Sequence, residues 1–163
     1  MRRSVFFLAT MTLILLLAAC SSGGGKIDSD MAQGYARDEP EQCVPYARRV
    51  SGIEIYGDAH TWWHQAQESR KGYEPREGAV MVLSGTRRIS RGHLAVVTEI
   101  VSDSQINVTH SNWGSDSNTR RIIYEQMRVE DVSARGDWSQ ARFWNPQLGV
   151  FGLPYKVSGF IYP

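Results

Sequence analysis

At 163 residues the chain is long enough for one domain with a proper core and too short for two comfortable ones. Hydrophobic residues make up 42% and charged residues 21%, a globular composition that excludes a disordered chain. A formal net charge of +1 supplies no basic field, so no nucleic-acid partner is expected.

The first twenty residues predict export. Arg2 and Arg3 give a basic start, and the run 5–17 is almost wholly apolar. That run is shorter than the roughly 20 residues a bilayer-spanning helix needs, which favours a signal segment over a span. Ala18 and Ala19 follow, then Cys20. Leu17-Ala18-Ala19-Cys20 resembles the bacterial lipobox, whose cysteine is lipidated and becomes the new N-terminus. The expectation is a signal peptide over 1–19 and an exported lipoprotein held at a membrane through Cys20, on its periplasmic face. Ser21 at the next position points to the outer membrane. A flexible tether is expected over 20–37, opening with Ser21-Ser22-Gly23-Gly24-Gly25, and a single folded domain over 38–163.

The folded part holds one cysteine, Cys43, because the other of the two is committed to the lipobox. Exported proteins tend to pair their thiols, so an unpaired one is a liability unless it has work to do. Cys43, Tyr46, Ala47 and Val50 recur at i, i+3, i+4 and i+7, the spacing of one helical face. Pro45 is tolerated only in a first turn, which sets Cys43 at the helix start. Unpaired amides and the positive dipole end there favour a thiolate. The same amides, with the Gln42 side chain, are placed to cradle an oxyanion.

A second helix is predicted next, capped by Asp58 and striped by Ala59, Trp62, Trp63 and Ala66, with the tryptophans in the core. His60 and His64 have a metal-ligand spacing but lack a third ligand, so they are read as surface residues and no metal or other cofactor is expected. Beyond Gly78 the pattern turns to strands at 79–83, 93–101, 105–111, 122–127, 142–144 and 156–162. The run 93–101 is apolar on both faces, as a central strand is. Helices first and strands afterwards predict an α+β domain, a small antiparallel sheet packed against two N-terminal helices. His93 opens the central strand and is the candidate base, with His110 its nearest competitor. Strand alternation sets Ile106, Val108, His110 and Asn112 on one face, which makes Asn112 the candidate orienting group.

Gln42-Cys43-Val44-Pro45-Tyr46-Ala47-Arg48, Gly57-Asp58-Ala59, Pro75-Arg76-Glu77-Gly78-Ala79-Val80, Gly92-His93-Leu94-Ala95-Val96-Val97 and His110-Ser111-Asn112-Trp113 occur in this order. Together they resemble the CHAP family, cysteine- and histidine-dependent amidohydrolases and peptidases of bacterial cell walls and phage lysins, over about 38–131. The resemblance implies a papain-like fold, Cys43 as nucleophile, His93 as base and Asn112 as third member. It implies peptidoglycan as substrate, cut either between N-acetylmuramic acid and L-alanine or within the peptide. Two other readings compete. A catalytically silent wall-binding lipoprotein has no reason to keep a free thiol, and an amidase of a small thiol–polyamine conjugate belongs in the cytoplasm. The segment 132–163 matches no motif and is expected to complete the sheet or to wall the groove.

Overall fold

A computed structural model describes residues 26–163, so the expected signal peptide at 1–19 and lipidation site at Cys20 lie outside the described residues. The chain opens with a hairpin, β1 (Lys26–Ser29) and β2 (Ala32–Ala36), followed by helix α1 (Cys43–Ser51). A 3-10 turn, Ala59–Thr61, runs into the one-turn helix α2 (Trp62–Gln65), and a second 3-10 turn, Glu68–Arg70, leads to β3 (Lys71–Gly72). Then come β4 (Val80–Leu83), β5 (His93–Ser102), β6 (Gln105–Ser111), the short α3 (Ser117–Arg120) and β7 (Ile122–Asp131). β8 (Gln140–Asn145), β9 (Val150–Phe151) and β10 (Tyr155–Ile161) complete the chain.

The architecture corrects the expected α+β, papain-like arrangement. Among the described residues the fold is mostly β, 41% strand against 17% helix, and six strands close into a barrel. Antiparallel pairing runs β7-β6-β5-β4-β10-β8, and β8 returns to β7 through Val129↔Phe143 and Asp131↔Ala141. β10 joins the two ends, pairing with β4 (Phe160↔Met81) and with β8 (Tyr155↔Ala141). Periodicity within each strand is silent on such pairings between distant segments, so an open sheet and a closed one look alike in sequence. The expected second helix also shrinks, because the backbone leaves helical angles at Ala66 after a single α turn. The tether expected over 20–37 is replaced at 26–36 by a hairpin whose second strand pairs with β7, Ala32 opposite Met127 and Ala36 opposite Ile122.

Two apolar clusters follow from strand alternation. Met81, Leu83, Ala95 and Val97 share the barrel interior with Val108, Met127 and Phe143. The intervening Val80, Val82, Leu94 and Val96 face outward against Ala47, Ile53, Ala59 and Trp62 from the helical segments. This is why β5 reads as apolar on both faces: one fills the barrel and the other carries α1. Trp62 is wholly buried in the outer cluster, its indole nitrogen without a hydrogen-bond partner, so the desolvation of that N–H offsets part of what burying the ring contributes.

Candidate active site

Cys43 is the first residue of α1, after an extended Gln42 at the cap position. Pro45 falls within the first turn, where its missing N–H leaves no helical bond unmade. A polar contact pins the helix to the barrel. Thr109 Oγ1 donates to the Tyr124 carbonyl at 2.8 Å, which commits its only hydrogen. Tyr46 must therefore donate to Thr109 Oγ1, at 2.5 Å. Through this contact the barrel wall sets the height of the helix start.

His93 opens β5 and is only 3% exposed. Gly92 before it has φ +72°, a conformation glycine adopts without strain. A Cβ there would lie 2.6 Å from the Leu83 carbonyl oxygen and 2.7 Å from the His60 amide nitrogen. The 3-10 turn can thus press against the strand end that presents His93. His60 does not behave as the free surface residue expected: its Nδ1 is buried without a hydrogen-bond partner. Among the described residues no group of three or more His, Cys, Asp or Glu is arranged to hold a metal ion.

Cys43, His93, Asn112, Trp113 and Arg91 line one open groove of about 1270 Å³, whose far wall comes from Trp144, Leu148 and Tyr155. The unassigned C-terminal segment therefore both closes the barrel and walls the groove. The thiol lies against the backbone amides of Leu94, Cys43 and Val44. Among the described residues it makes no hydrogen bond to the His93 ring, as is common before substrate enters a catalytic site.

The structure does not place Asn112 on His93. Its Nδ2 donates to Gln42 Oε1 at 2.8 Å, on the wet side of the groove. The group on His93 is His110, with Nε2 of His93 2.9 Å from Nδ1 of His110. Alternation fails at the last step because Asn112 has φ +55°, turning the chain out of the strand after Ser111. The parity of Ile106 and Val108 continues through His110 and ends before Asn112. Trp113 lies over the His93 ring, centroids 4.6 Å apart, and also packs on Phe143 and Tyr155.

The electrostatics correct the expected thiolate. Burial pushes the Cys43 thiol above its ordinary value, outweighing the amides of Leu94, Cys43 and Val44 and the positive Arg91, all of which act downward. Burial holds His93 down to about 3. His110 is driven well below its usual range by burial and by the neighbouring His93 ring. The resting pair is a neutral thiol and a neutral imidazole. Arg91 is itself tied to Asp58 through Nε, at 2.8 Å, so the groove rim holds a paired rather than a free cation.

The CHAP domain matches residues 32–112, a span that includes Cys43, His93 and Asn112. The chain carries a CHAP domain. No curated protein matches the chain. Among solved structures, an N-acetylmuramoyl-L-alanine amidase from Staphylococcus aureus aligns at 21% identity and a TM-score of 0.43, over 68% of this chain and 30% of that one. The CHAP-domain chain thus spans less than a third of that enzyme's length.

Proposed function

We propose that this CHAP-domain protein hydrolyses amide bonds of peptidoglycan through a thioester on Cys43, as an N-acetylmuramoyl-L-alanine amidase or a peptidoglycan endopeptidase. The observation that carries the reading is the meeting, in one open groove, of a thiol at a helix start and a buried imidazole at a strand start. Because both groups rest neutral, the thiol proton passes to His93 as the sulfur attacks the substrate carbonyl. The carbonyl oxygen becomes an oxyanion facing the amides at the start of α1, with the Gln42 amide, oriented by Asn112, beside them. Collapse breaks the C–N bond, and protonated His93 gives its proton to the leaving amine. Water then attacks the thioester while His93 accepts its proton, and the thiol is restored.

Export and membrane attachment through a lipidated Cys20 belong to the same proposal. An anchored hydrolase suits an insoluble polymer lying close to a membrane. The test is mass spectrometry of products released from defined peptidoglycan fragments. The wild type should yield new amine and carboxyl ends at one amide, and Cys43→Ala none. Release of the same products by folded Cys43→Ala would refute the cysteine mechanism.

A further inference from the structure

Three side chains run in series from the groove into the barrel: His93, His110 and Met127. His110 Nε2 lies 3.2 Å from the Met127 sulfur, and His110 Nδ1 lies 2.9 Å from His93 Nε2. His110 and Met127 are fully buried, and Tyr124 and Phe143 close around the His110 ring at centroid distances of 5.3 and 5.5 Å. A thioether sulfur has no hydrogen and can only accept. The His110 nitrogen that faces it must therefore be the N–H. A neutral imidazole has one N–H, which leaves Nδ1 of His110 as a lone pair. His93 Nε2 must then donate to it, and the remaining nitrogen of His93, Nδ1, is left as the free lone pair.

We infer that Met127, acting through His110, sets the tautomer of His93 and so selects which of its nitrogens serves as base. His110 and Met127 are positioning residues of this hydrolase, since neither is required to touch substrate. The inference rests on Cys43 and His93 being the catalytic pair. When His93 takes the thiol proton, its Nε2–H continues to donate to His110, so no second proton has to move. A neutral acceptor stabilises the imidazolium less than a carboxylate would, and it keeps both rings uncharged at rest.

The experiment combines nitrogen-15 NMR of histidine-labelled full chain with steady-state hydrolysis of a defined peptidoglycan fragment. In wild type near neutrality, His110 should be protonated on Nε2 only and His93 on Nε2 only. Met127→Leu keeps the volume and removes the acceptor. It should populate the other His110 tautomer and lower kcat about tenfold with KM unchanged, by analogy with other orienting groups. His110→Asn, whose amide oxygen can still accept from His93, should retain more of kcat than His110→Leu, which should lose on the order of 100-fold. His110 protonated on Nδ1 in wild type would overturn the inference, as would Met127→Leu with wild-type tautomers and kcat. Cys43→Ala assayed alongside separates the two ideas: activity in that variant sinks the catalytic pair, while the tautomers are read from spectra alone. If His110→Leu fails to fold, the spectra of wild type and Met127→Leu still decide.

Discussion

The two sides of the groove are built differently. On the barrel side, His93, His110 and Met127 are buried on three successive paired strands, β5, β6 and β7. On the helix side, Cys43 is half-buried and Gln42 exposed, and Gln42 and Asn112 meet through a single amide contact. The first side is dry and leaves its imidazole one orientation. The second is wetter, and its helix start opens onto the groove while the thiol itself stays largely desolvated. A base is useful when its lone pair is fixed, and a nucleophile when substrate can reach it, so the division suits the roles proposed for each.

The sharpest test of that division removes either half. Cys43→Ala and His93→Ala are each expected to lower hydrolysis of purified sacculi by about 10³-fold or more, with far-UV dichroism unchanged. Equal activity of His93→Ala and wild type would move the base elsewhere. The neutral resting thiol gives the next largest effect. Alkylation of Cys43 by iodoacetamide should rise about tenfold per pH unit through neutrality, because only the thiolate reacts and its fraction grows with pH below the thiol pKa. A flat profile would restore the preformed thiolate.

The dry side should show itself in acid. His93 is held at about 3 in the folded protein, whereas an unfolded histidine titrates near 6.5, so between these values the unfolded chain binds the extra proton. Stability is complete above about pH 6.5 and should fall by about 1.4 kcal/mol per pH unit for this histidine as pH drops towards 3. Chemical-denaturation midpoints for wild type and His93→Gln measure it, the variant being less sensitive. Gly92→Ala should cost about 1–3 kcal/mol by thermal melting, because its Cβ meets backbone on two sides at a left-handed φ. A melting curve identical to wild type would show that the His60 turn yields easily. The smallest effect is expected on the wet side. Asn112→Ala frees Gln42 and should lower kcat/KM a few-fold, roughly 1 kcal/mol for one exposed hydrogen bond. A loss as large as that of His93→Ala would return Asn112 to the catalytic set.

Much of the site was legible in the residues. The helical stripe with Pro45 in its first turn located Cys43 at a helix start, and the apolar run after Gly92 located His93 at the start of a central strand. Both follow from local backbone rules, which act over one or two turns or a few strand residues. The same rules carried the strand face as far as His110 and failed at Asn112, where a positive φ reverses the chain.

Everything that depends on distant segments meeting had to wait for the folded chain. Closure of the barrel joins Val129 to Phe143 and Met81 to Phe160. The partner of His93 lies one strand away and the partner of His110 one strand further. The protonation of Cys43 belongs here too: helix geometry favours a thiolate, but burial opposes it, and the amount of burial is set by packing that composition and periodicity do not encode.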